Sequence, residues 1–231
     1  MKIQAALGSN ARSKHPFAIS DLASTTQIGQ AVMDSCNDYL SWYLSLDDGS
    51  SLVQSIFSPN LKNSALFSAR SARISYLLGK VMLLDEQTRK GVVRNQVIEY
   101  GAVAEAILLD IVQSVGKNDA PSGIRPIKDK RNRTINWSSD GLLAQRRRNS
   151  SEMLYWYDFK WLIDQAKRIN VINANLERRI NWLRKSRNLV HPVIPTASRY
   201  SNDVHSSKTS RDIVVGLRDS VLLFKSNHGL P

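Results

Sequence analysis

The sequence predicts an all-α fold, an up-and-down bundle of about five to six helices carrying a basic loop insertion. Apolar residues recur at spacings of three, four and seven in one segment after another, which is the signature of helices with one buried face. Strand-like alternation is scarce, and no internal repeat is visible. With 231 residues and 42% of them apolar, the chain can bury a substantial core as one main domain with a small appendage.

The first sixteen residues hold Gly8, Ser9, Asn10 and Pro16 and few apolar positions, so an irregular stretch or a short strand is expected there. Ser20 or Asp21 then caps a helix reaching about Leu46, with Leu22, Ile28, Val32, Cys36, Leu40 and Tyr43 inward, and DDGSS ends it. Residues 1–60 form an N-terminal helical extension of unassigned role, and residues 61–231 form the bundle. From about Asn60 to Leu84, Leu66, Ile74, Leu77, Leu78 and Val81 have helical spacing, while Arg70 and Arg73 make a wetter side. A longer helix spans Asp85 to Val115, entered through DEQT and ended by Gly116.

Residues 117–151 read as a mobile, basic insertion. Between Arg125 and Arg148 stand eight Lys or Arg against two Asp, among scattered Pro and Gly. Lys128, Lys130, Arg131, Arg133, Arg146, Arg147 and Arg148 are candidates to follow a nucleic-acid backbone, and Trp137 to stack on an unpaired base; a solvated surface loop is the alternative. A helix from Ser150 or Ser151 follows, with Glu152 in its first turn and Phe159, Leu162, Ile163 and Ala166 on its core face. Trp156, Tyr157 and Trp161 add aromatic area to the core or to a dimer interface. Beyond a break near Asn170 to Asn175 comes a helix ending in LRKSRNLVHP, and a last one runs from about Ser210 to Phe224 with Ile213, Val214, Leu217, Val221 and Leu222 on one face.

A net charge of +12 and a pI near 10.0 point to a polyanionic partner, because clustered Lys and Arg release the counterions that phosphates hold. The single cysteine, Cys36, excludes an intrachain disulfide and reads as a small buried hydrophobe, consistent with a reducing cytoplasm. No zinc spacing of Cys and His appears, and no metal or cofactor is called for. No run of eighteen apolar residues occurs, since AVAEAILLDIV is broken by Glu105 and Asp110, and the N-terminus lacks an apolar core of signal-peptide length. Glycine-rich phosphate loops, paired carboxylates and Ser/His/Asp signatures are also missing.

The most informative stretch is Leu183 to Pro192. Leu176, Ile180, Leu183 and Val190 form one apolar stripe, and Arg184 and His191, seven residues apart, project within about 20° of each other along its border. Pro192 sets His191 in the last helical turn or just beyond, where the helix dipole favours a protonated imidazole. Arg187 lies inside the stripe, about 40° from Leu183. A charge there needs a partner, and Glu105, the carboxylate inside the apolar run VIEYGAVAEAILLDIV, is expected to pair with it.

These residues resemble the HEPN superfamily, helical domains marked by an arginine followed after four to six residues by a histidine. Arg184 to His191 fits with six between; Arg187 to His191, with three, does not. Arg199 to His205 also fits by spacing, but SRYSNDVHSSKTS reads as loop. The segment from Phe159 to Pro192 is similar to bacterial HEPN-like proteins with two helices, the second ending in RN-x-x-HP, and residues 97–112 resemble their long central helix. The resemblance covers about residues 85–225. It implies a metal-independent endoribonuclease of a prokaryotic toxin or phage-defence system, with His191 as general acid or base, Arg184 stabilising charge on the phosphate and Asn188 holding the phosphate or the ring. It also implies RNA as partner, a homodimer with two motifs in one cleft, and an antitoxin or other defence protein as a further partner. One subfamily carries a tyrosine two residues after the histidine as target of an adenylylating antitoxin; Val193 stands here instead. A catalytically inactive HEPN-like module that binds nucleic acid or protein is the alternative, and a scaffold within a defence assembly is a third class.

Overall fold

The computed structural model describes residues 49–81, 85–117, 124–125, 127–128, 144–146, 153–155, 158–188 and 204–230, together with Gln30, Asp34, Asp38 and Ser41. The chain divides into two units, Met1–Asp48 and Gly49–Pro231. In the first, the four described residues are helical and exposed, and Gln30 donates a hydrogen bond to Asp34. The rest of the helix expected there, Cys36 included, lies outside the described residues.

The second unit is an all-α helical bundle: α1 (Pro59–Val81), α2 (Glu86–Lys117), α3 (Phe159–Arg168), α4 (Ala174–Asn188) and α5 (Val204–His228). A 3-10 turn, Ser50–Val53, precedes them, and a two-stranded antiparallel ribbon, β1 (Ala144–Arg146) and β2 (Met153–Tyr155), falls between α2 and α3. The division lies twelve residues before the expected boundary at 60, because Leu52, Val53 and Ile56 bury fully with the bundle. Gly49 makes that entry possible. It sits at φ +82°, and a Cβ there would meet the Ala69 Cβ at 2.8 Å.

Helix α2 is the axis, and α1, α3, α4 and α5 all pack on it. From Val103 to Gln113 it is buried on nearly every side, at Val103, Ala104, Ile107, Leu108, Leu109, Ile111 and Val112; a helix apolar all round belongs in a core. Its start is an acid cap. The Asp85 carboxylate accepts from the backbone N–H of Gln87 and Thr88 and from the Thr88 hydroxyl, at 2.9, 3.0 and 2.6 Å. The Thr88 hydroxyl first, then its N–H, holds that carboxyl below its ordinary range. At the other end α2 runs through Gly116 to Lys117 rather than stopping before the glycine.

In α1 the buried face is Ala65, Ala69, Ala72 and Leu77, while Leu78 is exposed. Three small alanines thus make up most of that face, with Leu61 and Leu66 partly buried against the core beside them. Ser71 to Glu99 and Asn95 to Ser75 add hydrogen bonds between the two helices.

Two departures from expectation concern the insertion and α5. The expected start at Ser150 or Ser151 lies outside the described residues, but the helix does not run on from it: Met153, Leu154 and Tyr155 pair with Arg146, Gln145 and Ala144, and α3 starts only after Asp158, whose side chain accepts from the Trp161 N–H at 2.7 Å. The insertion is also tied down at one point. Ile127 is buried, the Lys128 N–H donates to Gln165 Oε1 at 3.1 Å, and the Lys128 carbonyl accepts from Trp161 Nε1 at 3.0 Å. Helix α5 starts six residues before the expected Ser210, so VHSSKTS is helical and not loop. Ser206, Ser207 and Ser210 are buried in it, with Ser207 donating to Gln96 of α2 and Ser210 to the Ser206 carbonyl. Serines satisfied this way carry no cost for burial.

Candidate nucleic-acid interface

Helix α4 is positioned by the turn that precedes it. The α3 helix ends in a left-handed cap at Asn170, φ +63°, with Val171 N–H donating to the Ala166 carbonyl and Asn170 N–H to the Lys167 carbonyl. Asn173 then caps α4 through the Leu176 N–H at 2.9 Å, and Lys167 pairs with Glu177 at 2.6 Å. That contact holds the Glu177 carboxyl below its usual range. Leu176, Ile180 and Leu183 bury against the core and fix which way the remaining faces of α4 look.

The structure brings Arg187 and Glu105 together. Arg187 Nη1 donates to Glu105 Oε2 across α4 and α2, both side chains being about one-quarter to one-third exposed. The guanidinium carbon stands 5.9 Å from the centroid of the Phe159 ring. Gly101, one turn before Glu105, is what admits the arginine stem: a Cβ there would meet Arg187 Cδ at 2.9 Å. Arg187 is thereby committed to the helix packing.

Arg184 is not. It is half-buried, its Nε reaches Asn181 Oδ1 at 3.4 Å, and no carboxylate pairs with it among the described residues. It lines an open concavity of about 490 Å³ together with Lys160 of α3 and Arg178, Asn181, Trp182 and Lys185 of α4. Four cations and one indole thus share a surface; among the described residues Asp164 pairs with Lys160, and Glu177, paired with Lys167, also acts on Lys160. Asn188 is exposed at the last residue of α4, three residues before His191, which lies outside the described residues.

The loop candidates fare differently. Lys130, Arg131, Arg133, Trp137, Arg147 and Arg148 lie outside the described residues, as do Trp156 and Tyr157. Arg146 is in β1 opposite Met153, and the backbone of Lys128 is held by α3. Trp161 is buried in the core, which removes it from any exposed aromatic surface. His205 of the alternative Arg-His spacing is exposed on α5.

Lys160, Arg178, Trp182 and Lys185 were not legible as a site from motif spacing, although Arg178, Trp182 and Lys185 stand at i, i+4 and i+7 on one helix face. Lys160 joins them only through the packing of α3 on α4. Among the described residues, no group of His, Cys, Asp and Glu is arranged to hold a metal ion, and no helix is long and apolar enough to cross a membrane. No family model, no curated protein and no solved structure matches this chain.

Proposed function

We propose that this protein binds RNA on the outer face of α4 and cleaves it without a metal, as a homodimeric endoribonuclease of the HEPN type acting in a prokaryotic toxin or phage-defence system. The observation that supports this most is Arg184, a cation with no carboxylate partner among the described residues, on an open surface with three more cations. In the proposed reaction the 2′-hydroxyl loses its proton, O2′ attacks the adjacent phosphorus, and the bond to O5′ breaks as that oxygen takes up a proton; His191 serves one of these two transfers as general acid or base and water serves the other. Arg184 stabilises the charge that builds on the phosphoryl oxygens, and Asn188 orients the phosphate or the ring. The products are a 2′,3′-cyclic phosphate and a free 5′-hydroxyl, and the setting is the cytoplasm with an antitoxin or other defence protein as restraint.

Incubating the full chain with structured RNA in EDTA tests it. Cleavage survives the chelator and falls at least about a hundredfold in His191→Ala and in Arg184→Ala, the usual reach of general acid–base and electrostatic contributions. Loss of cleavage in EDTA, or a fully active His191→Ala protein, overturns the catalytic reading. A second reading, a silent module that only binds nucleic acid, is favoured by Lys160, Arg178, Trp182 and Lys185, which offer contact to phosphates and to a base. Salt-sensitive binding with no cleavage at all selects it.

A further inference from the structure

We infer that the Lys160, Arg178, Trp182 and Lys185 surface is a binding groove for a single unpaired RNA strand, with one base stacked on the Trp182 indole. The inference deepens the RNA-binding part of the proposed function and rests on it, but not on cleavage. Trp182 is packed on the core by one side and lines the open concavity with another. Arg178 and Lys185, one turn before it and one after, are both exposed and have no carboxylate partner among the described residues. They stand about 10 Å apart along the helix axis, so they meet different phosphates of one backbone. Lys160 joins them from α3, where Asp164 pairs with it.

Charge alone would accept any polyanion, duplex included. The indole is the discriminating element. A stacked base in a duplex presents no free face to it, whereas an unpaired base does, and stacking is indifferent to base identity. Arg187, on the opposite face of α4, is held by Glu105 and is not part of the groove.

Fluorescence anisotropy of a labelled oligouridine and of an RNA duplex of equal length, on the full-length His191→Ala protein, tests the assignment without interference from cleavage. The single strand binds at least about tenfold tighter than the duplex. Adding Trp182→Leu weakens single-strand binding by about five- to hundredfold, the worth of one stacked base, with the salt slope unchanged, while Trp182→Phe stays within about threefold of the parent. Arg178→Gln with Lys185→Gln weakens binding and flattens the salt slope by about 1.4. Equal affinity for duplex, or full single-strand affinity in Trp182→Leu, overturns the groove. If Trp182→Leu does not fold, the pair of exposed substitutions decides, and undiminished binding there overturns it. His191-dependent cleavage with intact binding in all groove variants would sink the groove and leave catalysis standing; Trp182-dependent binding without cleavage would do the reverse.

Discussion

Arg184 and Arg187 are three residues apart on one helix, yet their surroundings divide the work between them. Arg187 is spent on Glu105 and the Phe159 ring, while Arg184 faces the open basic surface. That division was legible in the sequence, because the wheel puts Arg187 inside the apolar stripe and Arg184 on its border. What could not be read was Gly101, whose missing Cβ leaves the channel for the arginine stem. The half-buried pair predicts a coupled pattern. Glu105→Gln and Arg187→Met each destabilise by about 1–3 kcal/mol, since each leaves a desolvated group short of a partner, and urea unfolding of the double variant loses at least about 0.5 kcal/mol less than the two together. Strict additivity would show that the contact contributes nothing. Gly101→Ala gives an independent check on the same geometry, costing about 1–3 kcal/mol from overpacking against the arginine.

At the level of elements, the helices whose apolar residues repeat along a long face were readable, and those that bury small or polar side chains were not. Helix α2 announces itself by Val97, Ala104, Leu108 and Ile111, but the first two turns of α5 bury serines, and a Ser-rich stretch looks like loop until Gln96 supplies its partner. Similarly, Ser150 and Ser151 resemble a cap, yet Asp158 takes that role, because Met153 to Tyr155 have strand partners seven to eleven residues back. The junction of α3 and α4 sets where Arg178, Trp182 and Arg184 point, and its geometry depends on Asn170 in the left-handed region. Asn170→Gly is therefore expected to be neutral or to raise stability by up to about 1 kcal/mol, whereas Asn170→Val lowers it by about 1–2 kcal/mol, since a branched Cβ resists that conformation. Thermal unfolding distinguishes them. If valine is tolerated as well as glycine, the turn does not hold the α4 register.

Across the whole second unit, one buried ion pair fastens three separate parts of the chain. Asp110 of α2 accepts from the N–H groups of Phe57 and Ser58 at 3.1 and 2.9 Å and from Lys225 Nζ of α5 at 3.0 Å, while Lys225 also donates to the Ser55 carbonyl at 2.9 Å. The turn that leads into α1, the central helix and the last helix are thus joined at one carboxylate, 3% exposed, and one ammonium, 5% exposed. In the sequence Asp110 is only an interruption in an apolar run, and its partners are 53, 52 and 115 residues away, so nothing local reveals them. Burying two charges is expensive, and their attraction offsets that only while both are present and all remaining donors are met. Removing one partner strands the other: Asp110→Asn leaves an ammonium without a counter-charge, and Lys225→Met leaves a carboxylate held by two backbone N–H groups. Each is expected to cost about 3–5 kcal/mol, with Asp110→Asn the worse of the two because the amide can satisfy only part of what the carboxylate accepts. The double variant should recover part of the loss, since it buries no net charge. Denaturant unfolding of the full chain measures all three, and single variants within about 0.5 kcal/mol of the parent would mean that water reaches the pair and that this junction does not hold the bundle closed.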